Sequence, residues 1–504
     1  MSDAINSREG GKPLRMAGHI PVLLIGLHWL VIWMVWDGIG PRDAVRYVDA
    51  ALSLLDGQVT DTHWGLRWPL VLPMAGSLAV FGQNEFAASL PVFAYSSLLV
   101  VISWQIARRW FGEAAGFAAG ILFAGSGLFT MVGSGIYIFL PEIVFCVASL
   151  GLATQAGDRP VGRYALAGAL VFLAWLCRET SGFMLPALVA GAFTMFGITR
   201  NALLAASAAT AAFIGLVALE WLGYWLGRGD PLHRIWIDLG HGRGQSGTEI
   251  LPDGMGSASS WLDPLFGALT HGIVLPIHLT AIAAAVLILM SRVRPRSGGG
   301  RALITAGVAA ALSFAISVGL LNLETVFYFP IVPWLATMLA GWGLAVIARM
   351  SGKPSALAIG APIIVSSFAI HDLTRDRSMI AARALADFAI SAGEPVAADP
   401  YLAERARMFL RLDRDDVGRV VDYREVASLS GYLVFDSLAG RGAIRGVPDP
   451  TGWSEFRRLS FGEAPVTARL FRSAGSLARP VPQRLLRDPP GAVIWRVPEA
   501  ASAD

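Results

Sequence analysis

The sequence is poor in cysteine and in charged residues. Only two cysteines, Cys146 and Cys177, occur in 504 residues, and both lie inside apolar runs. This excludes a disulfide framework, and no Cys/His spacing suits a structural zinc site. Charged residues make up 15% of the chain, against about a quarter in an average soluble protein. With 54% hydrophobic residues and a mean hydropathy of +0.56, the sequence predicts a membrane protein.

Several catalytic motifs are also missing. The chain has no GxxxxGK[ST] phosphate loop, no HExxH and no GxSxG, so ATP-driven transport and zinc proteolysis lose support. The net charge of +3 does not imply a nucleic-acid partner, because most arginines lie between apolar segments, where they act as topology signals.

Eleven apolar runs are predicted to be transmembrane helices, since each is near the length needed for one crossing. They lie near residues 18–36, 87–107, 114–133, 137–155, 164–180, 182–197, 202–226, 264–290, 302–321, 326–348 and 355–371. The polar, basic N-terminus is followed by no convincing signal-peptide cleavage site, so we expect the first run to be a retained helix.

The distribution of basic residues predicts the orientation. With the N-terminus inside, fourteen Lys and Arg face the cytoplasm, namely Arg8, Lys12, Arg15, Arg108, Arg109, Arg159, Arg163, Arg200, Arg292, Arg294, Arg296, Arg301, Arg349 and Lys353. Seven face outward, namely Arg42, Arg46, Arg67, Arg178, Arg228, Arg234 and Arg243. This bias favours an N-inside, C-outside topology. Two long loops, near residues 36–86 and 227–263, then lie outside, and function is expected there.

The first long loop contains two predicted interfacial helices. In DAVRYVDAALSLLDG the apolar residues recur at helical spacing, at Val45, Val48, Leu52 and Leu55, whereas Asp43 and Tyr47 share another face. This pattern favours a helix along the membrane surface. The following WPLVLPMAGSLAVFG is short and contains two prolines, which favours a second interfacial helix. If it crossed instead, the count would be twelve and the C-terminus would be inside.

The last 130 residues differ in character. Charges are spread throughout, and β-like runs such as EPVAAD, GRVVDY, GYLVFD and AVIWRV alternate with helical or loop stretches. This predicts a small α/β domain. The expected organisation is a membrane domain over residues 1–371 and an extracytoplasmic domain over residues 372–504.

Four ionisable residues at predicted span ends or in the first loop are candidates for chemistry. Glu142 follows Pro141 just inside a span, where an ionisable group is costly and is a functional candidate by default; the alternative is a first-turn carboxylate in the wet headgroup region. Asp43 is a candidate that could equally be an N-cap. Arg178 and Glu179 end a span and could form only a local ion pair.

Basic residues in the two outer loops complete the candidate set. His63, Arg67, His233, Arg234, His241 and Arg243 could each be a solvated loop charge. Together they predict cationic donors beside carboxylates, the combination that a phosphate-bearing substrate requires.

The order of these features resembles the GT-C superfamily of integral membrane glycosyltransferases, closest to the protein-mannosyltransferase and lipid A aminoarabinose-transferase branch. The similar stretches are DAVRYVDAALSLLDG, HWGLRWPLVLPMAGSLAVFGQNEFAASLP, YIFLPEIVF, AWLCRETSGFMLPAL, GDPLHRIW and FYFPIVPWLATMLAG. Two positions depart from that branch. Ala44 stands where many members have a second acidic residue, and Val326-Phe327 stand where many have an arginine before the tyrosine.

The resemblance implies inverting transfer of a sugar from a polyprenyl-phosphate donor to an acceptor hydroxyl of a lipid, glycan or protein on the outer face of a membrane. The expected membrane is the bacterial inner membrane. Asp43 would be the base and Glu142 would hold the acceptor or orient the phosphate clamp. The implied substrate-binding residues are Tyr47, His63, Arg67, Arg178, Glu179, His233, Arg234 and Tyr328. No cofactor is expected, and Ala44 argues against a two-carboxylate metal site.

Two other classes compete with a glycosyltransferase, namely a transporter or flippase of lipid-linked sugars and a non-catalytic membrane scaffold. A transporter should have Gly/Pro-broken helices in corresponding halves and charges near mid-membrane. Here the charges gather at one predicted face, which favours the enzyme.

Overall fold

Helices dominate the computed structural model up to Thr374. The structure describes residues 18–36, 38–40, 43–155, 160–244, 269, 273–291, 293–320, 328–374, 378–426, 428–437, 452–460, 466–473 and 491–498. The helices are α1 (Ile20–Val35), α2 (Asp43–Leu55), α3 (Trp68–Phe81), α4 (Glu85–Phe111), α5 (Glu113–Gly125), α6 (Gly127–Ser134), α7 (Phe139–Ala153), α8 (Pro160–Cys177), α9 (Met184–Phe196), α10 (Arg200–Arg228), α11 (His233–Gly244), α12 (Leu275–Ser291), α13 (Gly299–Phe314), α14 (Ile331–Ser351) and α15 (Lys353–Thr374). A 3-10 turn at Glu179–Phe183 joins α8 to α9.

The predicted spans correspond to these helices. Each of the eleven overlaps one helix or, near residues 114–133, the pair α5 and α6. The start of the run near residues 264–290 lies mostly outside the described residues, and its remainder overlaps α12. Among the described residues six helices are long and apolar enough to cross a membrane, or seven if α5 and α6 form one span, and four further apolar helices are shorter. The chain is therefore an integral membrane protein, and the number of crossings, eleven or twelve, stays a prediction.

Small residues allow the helices to approach closely. A Cβ at Gly168 would collide with the backbone carbonyl of Ala209, which sets the contact of α8 with α10. A Cβ at Gly341 would similarly collide with the backbone of Ala119, where α14 crosses α5. Without a strong hydrophobic driving force between helices in lipid, such close backbone packing is a main source of helix association.

The α5–α6 pair bends by 53°. Ser126 at the junction is extended, with φ −74° and ψ 142°, so carbonyls at the end of α5 lose their usual intrahelical partners. His28 in α1 donates from Nδ1 to the Ala124 carbonyl at 2.9 Å. A side chain from a neighbouring helix thus supplies a hydrogen bond at the bend.

The first loop contains the predicted helix, α2. Its apolar side chains Val45, Val48 and Leu52 are buried, as the spacing predicts. Tyr47 is buried as well, whereas Asp43 is exposed. Asp43 and Tyr47, four residues apart in this helix, lie on the same side as predicted, but only Tyr47 is buried.

The described residues from Ser378 to Pro498, here called the C-terminal unit, contain helices and one sheet. The elements are α16 (Ser378–Ala392), β1 (Val396–Ala398), α17 (Pro400–Leu412), β2 (Val420–Asp422), β3 (Leu433–Ser437), β4 (Ser454–Leu459), α18 (Val466–Ser473) and β5 (Ala492–Arg496). The strand order is β2-β1-β3-β5-β4. Strand β1 pairs parallel with β2 and β3, and β5 pairs antiparallel with β3 and β4.

The sheet confirms the predicted small α/β character of the tail. All four β-like runs form strands, and β4 was not foreseen because SEFRRL is largely exposed and lacks apolar alternation. Between β1 and β2, α17 begins where the Asp399 side chain accepts from the amides of Tyr401 and Leu402. The domain boundary predicted at 371/372 falls inside α15, and the division into two domains stays a prediction.

Candidate active site

A buried ion pair joins α7 to the end of α8. Glu142 lies in the first turn of α7 and is 1% exposed, and Arg178 follows α8 and is 8% exposed. Arg178 Nη1 donates to Glu142 Oε2 at 3.2 Å, and Ser181 Oγ donates to Oε1 at 2.5 Å. The expected first-turn position of Glu142 is therefore correct, but its carboxylate is buried in protein and does not lie in a wet headgroup region.

Two aromatic rings flank the Arg178 guanidinium. Its carbon lies 4.4 Å from the ring centroid of Tyr328 and 5.1 Å from that of Phe139. The two rings are themselves in edge contact, with centroids 5.7 Å apart. Such cation–π contacts add attraction and restrict the orientation of the guanidinium plane. The structure thus brings Tyr328 to Arg178 and Glu142.

Arg67 is the centre of a second buried cluster. It precedes α3 and is 2% exposed. Its Nη1 donates to Glu179 Oε1 at 2.8 Å and its Nη2 donates to Asp238 Oδ1 at 3.1 Å. Glu179 and Arg178, adjacent in sequence, therefore bind partners far along the chain, and the alternative of only a local ion pair is wrong.

Arg234, in α11, completes this cluster. It donates from Nε to Glu220 Oε1 at 2.6 Å and from Nη2 to Glu220 Oε2 at 3.3 Å, a forked pairing with geometric as well as electrostatic strength. Its Nη1 donates to Glu179 Oε1. Arg67 and Arg234 therefore share one oxygen of Glu179, and neither is the solvated loop charge that the sequence allowed.

The two histidines belong to different environments. His63 Nδ1 donates to Asp238 Oδ1 at 2.6 Å. Burial and the Arg67 guanidinium lower the pKa of His63 to about 4, so the ring is neutral at pH 7. His233 Nε2 instead lies 3.4 Å from Asp61 Oδ1, which also accepts from Arg228 Nη2 at 2.9 Å. The expected His233–Arg234 pair thus divides between two sets of contacts.

Asp43 and Tyr47 approach these clusters from α2. Asp43 is exposed at the first residue of the helix, and no hydrogen bond or ion pair links its side chain to the described part of the chain. Burial raises the pKa of Tyr47, and Asp43 raises it further, while Arg67 and Arg178 oppose the shift. Asp43 and both guanidiniums therefore lie within electrostatic range of the Tyr47 hydroxyl.

The arrangement can bind and orient anions, although each of its buried cations already has an anionic partner. Arg178 pairs with Glu142, and Arg67 and Arg234 share Glu179, Asp238 and Glu220. A bound phosphate must therefore add to a guanidinium that a carboxylate already orients. Within the described residues no group of three or more His, Cys, Asp or Glu is placed to hold a metal ion.

Sequence reasoning missed four residues of these contacts, namely Ser181, Glu220, Asp238 and Asp61. Glu220 had a usable signal, because it is a carboxylate within the long apolar helix α10 and such residues are functional candidates. Ser181, Asp238 and Asp61 had no such signal in the sequence, because each one contacts a partner that is distant in sequence. The side chains of His241 and Arg243, and residues 326 and 327, lie outside the described part of the chain.

Comparison with solved structures shows a fold similar to that of ArnT, a protein of known structure. ArnT from Cupriavidus metallidurans bound to undecaprenyl phosphate superposes with a TM-score of 0.56 at 16% identity, covering 96% of this chain and 99% of that one. The apo form of the same protein gives a TM-score of 0.55 at 16% identity, over 82% and 92% of the two chains. The predicted helical membrane fold is confirmed.

Sequence comparisons lead to the same group of proteins. Residues 70–225 match the family model described as dolichyl-phosphate-mannose-protein mannosyltransferase. The undecaprenyl phosphate-alpha-4-amino-4-deoxy-L-arabinose arabinosyl transferase of Pseudomonas paraeruginosa is 28% identical over 223 residues, 41% of this chain and 40% of that protein. The aligned region thus spans about two fifths of the length of this curated relative. The resemblance to the GT-C superfamily, in its mannosyltransferase and aminoarabinose-transferase branch, is confirmed.

Proposed function

We propose that this chain is a glycosyltransferase that moves a sugar from a polyprenyl-phosphate donor to an acceptor hydroxyl of a lipid, glycan or protein. One observation carries the proposal. Three buried arginines, Arg67, Arg178 and Arg234, lie near helix ends of a membrane protein, and each is paired with carboxylates. Guanidinium groups suit phosphate recognition because their planar donors match its oxygens.

The relatives support the chemical class of the donor. The matched Pseudomonas paraeruginosa protein is named for undecaprenyl phosphate and an aminoarabinose unit, and the Cupriavidus metallidurans structure contains undecaprenyl phosphate. We extend to this chain only the shared part, a polyprenyl phosphate linked to a sugar. The sugar and the acceptor are for experiment to identify.

The proposed reaction has one bond-making and one bond-breaking step at the anomeric carbon. The acceptor oxygen attacks that carbon from the face opposite the phosphate, with inversion, while Asp43 takes the hydroxyl proton. The bond from the anomeric carbon to the phosphate oxygen breaks, and polyprenyl phosphate leaves with the electron pair. The protein then has two catalytic tasks, which are to deprotonate the acceptor and to stabilise the charge on the leaving phosphate.

The contacts refine the roles of the remaining residues. Arg178 is the least buried of the three arginines and is proposed to bind the donor phosphate. Of the two roles implied for Glu142, orienting this clamp is the one that its bond to Arg178 supports. Arg67 and Arg234, with His63 and Glu179, are proposed to hold the donor side of the site. Tyr47 and Tyr328 are proposed to line it.

The site is proposed to face outward from a bacterial inner membrane, together with residues 372–504. The support is the excess of Lys and Arg in the opposite set of loops.

The direct test is incubation of the purified protein with a panel of polyprenyl-phosphate sugars and candidate acceptors, followed by mass spectrometry. Release of polyprenyl phosphate with formation of a glycosylated acceptor is expected from the wild type and not from Asp43→Asn. A chain that moved lipid-linked sugars across vesicle membranes without releasing polyprenyl phosphate would instead be the alternative transporter or flippase.

A further inference from the structure

The outer face of α2 carries a polar stripe. Its members are Arg46, Asp49 and Ser53, with Asp56 directly after the helix, and their spacing of three or four residues places them on one side. The opposite side of α2 is the buried apolar face already described. The stripe therefore points away from the transmembrane helices.

Helix α17 of the C-terminal unit lies along this stripe. Arg411 donates from Nη1 to Asp49 Oδ1 at 2.6 Å and from Nη2 to Asp56 Oδ2 at 2.8 Å. At the other end of the contact, Arg46 Nε donates to Glu404 Oε1 at 3.3 Å. The two contacts have opposite polarity. Helix α17 supplies the cation, Arg411, in the first contact, whereas α2 supplies the cation, Arg46, in the second.

This reversal fixes how the two helices meet. Sliding or inverting α17 against α2 would place Arg411 near Arg46 and Glu404 near Asp49, and like charges at short range are unfavourable. The charge pattern therefore specifies register and direction, even though each partly exposed pair adds little stability by itself.

A second contact holds the same unit against the membrane helices. Arg383 Nη1 in α16 lies 3.6 Å from Glu85 Oε1, at the first residue of α4. Glu85 Oε2 also accepts from the amide of Ile39, which precedes α2 in the chain. The C-terminal unit thus contacts α2 directly and contacts Glu85, which in turn binds the amide of Ile39 before α2.

We propose that Arg411 is a positioning residue, through which the C-terminal unit fixes the orientation of α2 and hence of Asp43. This inference rests on the proposed function, in which Asp43 is the base. Asp43 and Asp49 belong to one helix of 13 residues, about 20 Å long at 1.5 Å per residue, so constraint at one end of this short rigid element reaches the other.

The chain offers a matched control for Arg411. Arg407 lies one turn earlier on α17, but it donates to the Val420 carbonyl at 2.8 Å and to Glu425 Oε2 at 2.6 Å, both within the C-terminal unit. Arg411→Ala and Arg407→Ala remove the same side chain from the same helix. Only the first removes contact with α2.

The experiment measures donor kinetics and amide hydrogen exchange in these variants. Arg411→Ala removes the ion pairs with both Asp49 and Asp56 and is expected to lower kcat about fivefold, the equivalent of about 1 kcal/mol, with the KM for donor within about twofold. Exchange in residues 43–55 should accelerate. Arg407→Ala should match the wild type in kcat and in α2 exchange, and Arg411→Lys should recover part of the loss.

Exchanging the charges of the Arg46–Glu404 pair tests the same inference without relying on the removal of a single side chain. Arg46→Glu and Glu404→Arg should each lower kcat and accelerate α2 exchange, and the double variant should recover both. Equal α2 exchange in Arg411→Ala and Arg407→Ala would overturn the inference, whatever the activity. A wild type inactive with every donor would instead defeat the proposed function, while hydrogen exchange still decides whether Arg411 restrains α2.

Discussion

Arg178 Nη1 lies 3.2 Å from Glu142 Oε2, so the end of α8 and the first turn of α7 are joined by two groups that are both nearly inaccessible to water. A buried pair of this kind is costly to break, because removal of one partner leaves an uncompensated charge, at about 3–5 kcal/mol.

Arg178→Ala is expected to lose both stability and donor use, and a double variant separates the two effects. Adding Glu142→Gln removes the stranded carboxylate, so thermal stability in detergent should partly return while kcat/KM stays low. Arg178→Lys should retain more donor use than Arg178→Ala, because it keeps the charge without the planar fork. Wild-type turnover in well-folded Arg178→Ala would reduce this residue to a structural ion pair.

Asp43→Asn is expected to abolish sugar transfer while the protein still inserts, folds and binds the donor. An amide cannot accept the acceptor proton, and general-base contributions are about 10² to 10⁴-fold in rate. Because Asn and Asp cap helices about equally well, a purely structural role predicts little change. Single-turnover rates and donor binding should be measured together. If Asp43→Asn stayed active and Glu142→Gln were inactive, the base would be Glu142.

Acidification is expected to destabilise the protein through His63. Its pKa is lowered to about 4 by burial and by Arg67, below the value of about 6.5 in an unfolded chain. Between these values the unfolded state binds the proton more readily, so stability falls as pH drops from 6.5 to 4, by at most about 3 kcal/mol. Thermal unfolding across this range should show a shallower loss in His63→Gln, and identical slopes would argue against the assignment.

The C-terminal unit is expected to be extracytoplasmic. After Val497, at the end of the sheet, a reporter that works only outside the cytoplasm should be active, and a reporter that works only in the cytoplasm should be inactive. After Ile198, in a predicted cytoplasmic turn, the two reporters should give the reverse result. Cytoplasmic activity at Val497 would refute the eleven-span topology and the outward-facing site together.

The sequence predicted helices and strands well because their signals are local. Each predicted apolar run overlaps a helix or a helix pair, and the spacing of Val45, Val48 and Leu52 located α2 and its buried side. The resemblance to a known family was based on the order of these elements along the chain. Strand β4 was missed because its exposed, charged residues carry no alternation.

Pairing of charged residues was not predictable in the same way. Arg178 and Glu179 looked like partners because they are neighbours in sequence, but the chain direction at the end of α8 sends them to Glu142 and to Arg67. Those partners are chosen by helix packing over long sequence distances. A single sequence contains the charges but not the distances between them.

The contact of Arg67 with Asp238 has a consequence for biosynthesis. The two residues are 171 positions apart, so at about 5 to 20 residues per second the ribosome needs roughly 10 to 30 s to supply the second after the first. Glu179 appears 112 positions after Arg67, also late. Until residue 179 has been made the Arg67 charge has neither of these final partners, and the cluster can close fully only after residue 238 in α11 has been added. A nascent chain arrested before residue 179 would therefore expose Arg67 to water, to lipid headgroups or to the insertion machinery.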